Sequence, residues 1–361
     1  MKILHVITSL RTGGAERLMV DILPRLKNNG IDVDLCVFDG LDTPFKRELS
    51  NHGVNIIDFG IGHSVYSLSN LWKLACLLHK KRYDIVHTHN TACQLFAAIG
   101  SVLCSVVLCT TEHNTSNRRR GWKWYAAVDR WMYGRYKKVI CISDKTETAL
   151  RECIPNFNTP TITIYNGIDV SKFELAKPEG IDKVKHGCQT ALIQVAGFRY
   201  QKDQKTLIRS LQYLPNSVHA YFVGEGECKQ ECIDLSQELG LSDRIHFMGI
   251  RTDVPSLMKS SDIVVISSHW EGFGLAAVEG MAASKPVIAS GVDGLREVVQ
   301  GAGIIFEHEN PKDLADKIIM LISTPAYLKE ISDSCHARAK EYDISNMVAG
   351  YIGVYKELFK K

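Results

Sequence analysis

The chain has no Cys-x-x-Cys pair, although its 361 residues include 11 cysteines. An odd number of thiols at irregular spacing fits neither a disulfide framework nor a zinc finger, so reduced thiols in a cytosolic protein are expected. An excess of one charge is also missing. Lys and Arg number 43 against 40 Asp and Glu, and a net charge of +3 does not mark a nucleic-acid binder. No Gly-x-Gly-x-x-Gly fingerprint of a dinucleotide site occurs, and "VGEGE" at 223–227 lacks the third glycine. There is no low-complexity tract and no short repeat. "MKILHVITSLRTGG" ends its apolar run at Arg11 without a cleavage pattern, so no signal peptide is expected. The stretch "ACQLFAAIGSVLCSVVLCT", residues 92–110, carries no charge over 19 residues. Gly100 and Ser101 divide it into a helical part and a β-branched part, which reads as a buried helix and strand, not a membrane span.

What is present is a 45% hydrophobic, 23% charged composition, that of a soluble globular protein, at a length that implies two domains. Apolar β-rich runs alternate with helical patterns: "KILHVIT", "DVDLCVF", "VNIIDF", "DIVHTH", "SVVLCTT" and "KKVICIS", then "TALIQVAG", "HAYFVGEG", "RIHFMG", "DIVVIS", "KPVIAS" and "GIIF". Continuous hydrophobic strands separated by helices imply parallel sheets covered on both faces, here two doubly wound α/β domains. The expected boundaries are a first domain at 1–170, a linker at 171–188 and a second domain at 189–340. A C-terminal amphipathic helix at 341–361 is free to return to the first domain. Ligands of such sheets bind outside the carboxyl ends of the strands, so two facing sheets would border one cleft.

Three constellations fall at those ends. Gly13 and Gly14 open the first helix, where bare backbone can approach a phosphate or a sugar. A turn with no ligand explains them as well. In "VAGFRYQKDQKTLI", Arg199 and Lys202 lie three apart before a helix, and both could meet one anion; solvated surface charge explains them equally well on composition, but their place at a strand's carboxyl end favours function. In "HWEGFGLAAVEG", residues 269–280, the backbone around Phe273, Gly274 and Leu275 could cradle a diphosphate at a helix entrance. Glu271 and Glu279 flank that entrance. Carboxylates repel phosphate but accept from hydroxyls, so one ligand with a sugar at each end of a diphosphate fits both acids.

In combination these segments resemble the retaining glycosyltransferases of family 4, whose architecture is called GT-B: two Rossmann-like domains facing across a cleft. "EGFGLAAVE" is similar to that family's Glu–seven residues–Glu motif, "TGGAER" to its N-terminal glycine loop and "IYNGIDVSKF" to its linker-proximal motif. The segment 224–250 and "GVDGLREVV" are similar to two more. The resemblance implies that Glu271 binds hydroxyls of the donor hexose and Glu279 those of the ribose. Phe273, Gly274 and Leu275 would contact the phosphates through backbone, Arg199 and Lys202 would neutralise them, and Gly249 and Ile250 would lie against the base. Many relatives carry Arg directly after the glycine where Phe198 follows Gly197 here, so Arg199 would act from a shifted position. His113 in "TTEHNTSN" occupies the place of a histidine near the reacting sugar, with His89 in "HTHN" its rival.

The implied reaction is hexosyl transfer from a nucleotide-diphosphate sugar, a UDP-sugar by family habit, to a sugar acceptor. Retention, no cofactor and no metal are expected, since the one Asp-x-Asp, "DVD" at 32–34, lies in a predicted strand. A nucleotide-sugar epimerase of the same architecture is the alternative. "NRRRGWKWYAAVDRWMYGRYKK", residues 117–138, sets eight Lys or Arg against one Asp, with three Trp and three Tyr. Arg118, Arg119, Arg120, Trp122, Lys123 and Trp124 suit an anionic membrane surface, although a solvated helix with a packed Trp face is the plainer explanation. A polyprenyl-diphosphate-linked acceptor and a peripheral place at the cytoplasmic face of the cell membrane are expected, with no nucleic-acid partner.

Overall fold

The computed structural model describes residues 1–11, 13–62, 64–113, 125–154, 156–178 and 189–360. Two compact units emerge, Met1–Asn166 with Ile344–Lys361, and Gly167–Asp343. The first is built on β1 Lys2–Ile7, β2 Asp32–Val37, β3 Asn55–Asp58, β4 Ile85–Thr88, β5 Val107–Glu112, β6 Lys138–Cys141 and β7 Thr161–Thr163. They form one sheet in the order β3-β2-β1-β4-β5-β6-β7, and every pairing is parallel. The second unit holds β8 Thr190–Val195, β9 Val218–Val223, β10 Ile245–Gly249, β11 Ile263–Ile266, β12 Val287–Ser290 and β13 Ile304–Phe306. Its sheet runs β10-β9-β8-β11-β12-β13, also all parallel.

Both orders reverse direction beside the first strand, between β1 and β4 and between β8 and β11. That is the doubly wound pattern, and it makes a ligand crevice at each switch point. Strand interiors are buried on both faces, as in Ile3–Ile7 and Ile263–Ile266, which accounts for their unbroken apolar sequences. The helix Gly14–Asn28 buries Leu18, Met19, Ile22, Leu23 and Leu26, one stripe at helical spacing. The C-terminal helix Ile344–Phe359 buries Ile344, Met347, Val348, Tyr351, Val354, Tyr355 and Leu358 in the core of the first unit.

Two elements differ from expectation. The sheet of the first unit has a seventh strand, β7, because "TIT" after Pro160 pairs with β6 at the sheet edge. Three residues with two threonines carry no apolar run to announce it. The segment read as a linker from 171 begins inside the helix Val170–Glu174, which buries Val170 and Phe173 within the second unit. The uncharged stretch 92–110 divides into the helix Thr91–Gly100 and β5, and no described helix is long and apolar enough to cross a membrane. Each described cysteine is a free thiol. Asp34 of "DVD" is buried and accepts from Tyr83 Oη at 2.7 Å and Asn55 Nδ2 at 2.9 Å.

Candidate active site

At the switch point of the second unit, the chain leaves β8 through a glycine loop and a 3-10 turn, Tyr200–Lys202. Gln194 Nε2 donates to the Lys202 carbonyl at 2.9 Å. Ser267, just past β11, donates through Oγ to the Asp203 carbonyl at 2.7 Å and accepts from Gln194 Nε2 at 3.1 Å. Asp203 sits in the left-handed region at φ 42° and caps the next helix by accepting from Thr206. Burial raises the pKa of its carboxyl. These ties aim the Lys202 ammonium at Glu271, with which it forms an ion pair. Ser268 Oγ donates to the same Glu271 oxygen at 2.9 Å, while Ser290 Oγ at the end of β12 holds the Ser268 carbonyl at 2.6 Å. A cation and an acid 69 residues apart in sequence are thus brought together where β8 and β11 adjoin.

Beyond Glu271 the helix Leu275–Ala282 starts from Gly274, at φ 91°, with no side-chain cap and no acid in its first turn. That leaves its N-terminal amides and dipole suited to an anion. The loop is packed from behind. Phe273 is buried edge-on against Tyr342 at 5.2 Å between ring centroids. Gly294 has φ 83°, and a Cβ there would lie 2.4 Å from the Glu271 carbonyl oxygen. Only glycine lets the two strand-end loops meet this closely. Gly294→Ala is therefore expected to lower stability by about 1–3 kcal/mol through backbone strain alone, and transfer activity at least tenfold, as read by denaturant melts and initial rates. Unchanged values would contradict the packing.

Glu279 lies half-buried on the same helix. Gly249 closes β10 at φ 65°, followed by Ile250, which is 73% exposed. Arg199 is exposed and does not join the Lys202 contact. It lines a cavity of about 420 Å³ with Tyr200, Lys205, Arg209, Glu231 and His269. The glycines of "VGEGE" have another use: at Gly224 and Gly226 a Cβ would collide with the carbonyls of Ala196 and Phe198, so this loop supports the β8 loop by close approach.

In the first unit Asn90 Oδ1 accepts from the Thr8 amide at 3.0 Å, tying β4 to β1 at the switch point. Gly13 and Gly14 open the first helix as expected, but the Glu16 carboxylate lies over Gly13. An acid there disfavours a phosphate and favours a hydroxyl. His113 stands partly buried beyond β5. Its Nε2 is 3.3 Å from His89 Nδ1, and His89 Nε2 is 2.9 Å from His5 Nδ1. His89 is fully occupied in the interior, which leaves His113 as the outermost ring. Burial pushes His113 down to about 4 and His5 to about 3, and holds His87 and His89 well below the ordinary imidazole value. The basic and aromatic residues Arg118, Arg119, Arg120, Trp122, Lys123 and Trp124 lie outside the described residues.

Sequence reasoning did not single out Gln194, Ser267, Ser268, His5 or His87, whose roles depend on strand adjacency. Two groups, His5–His87–His89 and His269–His308–Glu309, bring their ligand atoms within 4.8 Å of one another, the spacing a metal ion needs. A cavity of about 650 Å³ is lined by Val107, Lys137 and Pro160. Those residues begin β5 or precede β6 and β7, so it lies at the opposite end of the strands from the site above.

Two family models match the chain: Glycosyltransferase Family 4 over residues 12–172 and Glycosyl transferases group 1 over residues 181–342. An uncharacterized glycosyltransferase of Methanocaldococcus jannaschii is 27% identical over 96% of this chain and 95% of its own. The UDP-Gal:alpha-D-GlcNAc-diphosphoundecaprenol alpha-1,3-galactosyltransferase of Escherichia coli is 26% identical over 81% of this chain and 80% of its own. The crystal structure of Anabaena Alr3699/HepE in complex with UDP superposes with a TM-score of 0.87 at 25% identity, over 99% of this chain and 100% of that one. Paired parallel sheets with this strand-end site define a GT-B glycosyltransferase that uses a nucleotide sugar. The chain belongs to glycosyltransferase family 4.

Proposed function

We propose that the protein transfers a hexosyl unit from a UDP-sugar to a sugar carried on a polyprenyl diphosphate, with retention at the anomeric carbon, in cell-surface polysaccharide or glycolipid synthesis. The observation that carries this reading is the Lys202–Glu271 pair beside the uncapped entrance of the helix Leu275–Ala282. The ammonium has three donors, so it can keep Glu271 and take a phosphate oxygen as well. The diphosphate lies against Lys202 and the backbone at Phe273, Gly274 and Leu275, and Arg199 closes on it from the neighbouring cavity. Glu271 accepts from the hexose, Glu279 from the ribose, and Gly249 with Ile250 meets the base. The UDP complex of the Anabaena relative supports uridine, and the diphosphoundecaprenol in the name of the E. coli relative supports a lipid carrier.

The bond from the anomeric carbon to the diphosphate breaks as that carbon bonds the acceptor oxygen. The acceptor proton passes to a donor phosphate oxygen, and UDP leaves. Lys202, Arg199 and the helix terminus stabilise the charge that develops, each contributing up to a few kcal/mol, without a metal. His113, neutral at physiological pH, offers a hydrogen bond to a substrate hydroxyl.

With a chelator present, the purified protein should couple one UDP-hexose to an undecaprenyl-diphosphate sugar, detected as an added hexose by mass spectrometry with an axial new linkage for an α-donor by NMR. Donor consumption without acceptor would instead indicate an epimerase. The run 117–138 supports a peripheral place at the cytoplasmic membrane face. The protein should sediment with vesicles of anionic phospholipid at low salt and release at high salt; failure to sediment at low salt would count against the membrane assignment.

A further inference from the structure

The interior of the first unit holds a row of polar rings that the transfer chemistry above does not use. From the C-terminal helix, Tyr351 Oη is 3.0 Å from Thr111 Oγ1, which is 2.7 Å from His87 Nε2. His87 Nδ1 is 2.6 Å from Tyr355 Oη, which is 3.2 Å from His5 Nε2. His5 Nδ1 then meets His89 Nε2 at 2.9 Å, and His89 Nδ1 meets His113 Nε2 at 3.3 Å. Every member before His113 is buried. Two side chains of the last helix are thereby joined, through three imidazoles, to His113 just past β5.

The direction of this chain can be worked out. Each hydroxyl has one proton, and each neutral imidazole has one N–H and one lone pair. Burial keeps all four histidines neutral. Six contacts need six protons, and the five inner groups supply five. One end must therefore donate inward, and all links must point the same way. If His113 donated, the Tyr351 O–H would have no acceptor among the described residues, a buried donor left unmade. If Tyr351 donates, every group is satisfied. Thr111 then donates to His87 Nε2, His87 Nδ1–H to Tyr355, Tyr355 to His5 Nε2, His5 Nδ1–H to His89 Nε2, and His89 Nδ1–H to His113 Nε2.

We infer that Tyr351 and Tyr355 are positioning residues that fix His113 as its Nδ1–H tautomer, presenting a hydrogen-bond donor at the strand end. The tautomer of an imidazole follows the bond made by its other nitrogen, and here that bond is set by a helix more than 200 residues away in sequence. A donor suits a sugar hydroxyl oxygen or developing negative charge, and the alternative tautomer would offer only a lone pair. The functional part of this inference rests on the proposed contact of His113 with substrate; the tautomer itself does not.

The test is long-range nitrogen–proton NMR of the full chain with 15N-labelled histidine, assigned with His113→Asn. At neutral pH His113 should show Nδ1 protonated and Nε2 bare. Tyr355→Phe cuts the chain three links away, so the Nδ1–H fraction of His113 should fall at least twofold while a circular-dichroism melt stays cooperative. Thr111→Val, which cuts it elsewhere, should act in the same direction and serves if the first variant does not fold. An Nε2–H or doubly protonated His113 in the wild type would overturn the inference, as would a tautomer unmoved by a folded variant. Stoichiometric zinc retained at His5, His87 and His89 by the purified protein would also overturn it. Loss of transfer in His113→Ala is read separately: normal transfer there removes the substrate contact but leaves the tautomer result standing.

Discussion

Lys202→Ala should lower kcat by about 100- to 1000-fold, the usual effect of removing one charged group aimed at a developing transition-state charge. The structure makes this a demanding experiment, because the side chain has two duties. It is the partner of Glu271, whose side chain is only 12% exposed. Truncation leaves that carboxylate with Ser268 as its one remaining donor among the described residues, at a cost of about 1–3 kcal/mol. A fall in activity accompanied by a lower Tm would therefore be ambiguous. The double substitution Lys202→Met with Glu271→Gln removes both charges together and should recover most of the Tm while turnover stays low. Near-normal turnover in Lys202→Ala would remove Lys202 from the donor site. Full recovery of turnover in the double variant would show that the pair serves folding alone.

Acid should destabilise the first unit well before carboxylates titrate. His5, His87, His89 and His113 all have folded-state pKa values below the ordinary 6.5. In the unfolded chain they take up protons as pH falls through about 6.5. In the folded unit they do not until about 4 for His113 and about 3 for His5. The unfolded state thus binds more protons, so stability rises with pH and is fully present only above about 6.5. Each histidine held neutral costs about 1.4 kcal/mol per pH unit below that point. Because the unfolded imidazole is half protonated at about pH 6.5, each contributes about 1 kcal/mol between pH 6.5 and 5.5, and four together about 4 kcal/mol, or roughly 8–16 °C in Tm for a unit of this size. Circular-dichroism melts at pH 7.5 and 5.5 check this, and a flat Tm across that window would show that the histidines are not held neutral in the interior.

The two predictions draw on parts of the molecule that were unequally legible in the sequence. Twelve of the thirteen described strands are apolar runs, most of them buried on both faces, and that burial writes itself into composition. β7 escaped because an edge strand of three residues needs no such run. The glycine-led helix entrance at Gly274 and its flanking acids were readable, since the special backbone and the residue types occur together in one short segment. The Lys202–Glu271 pair was not, because it exists only where a crossover sets β8 beside β11. Linear spacing did not show how the two cations part: Arg199 and Lys202 lie only three apart. The 3-10 turn and the left-handed Asp203 direct Lys202 to Glu271, while Arg199 lines the neighbouring cavity. The histidine row was equally hidden, since His5, His87 and Tyr355 become neighbours only through sheet order and the return of the last helix.

A crystal structure with an intact UDP-hexose bound tests the central claim most directly. The pyrophosphate should lie against the amides that follow Gly272 and within reach of Lys202, with Glu271 on hexose hydroxyls and Glu279 on those of the ribose. A nucleotide sugar bound elsewhere, with both carboxylates engaged only by protein groups, would contradict it.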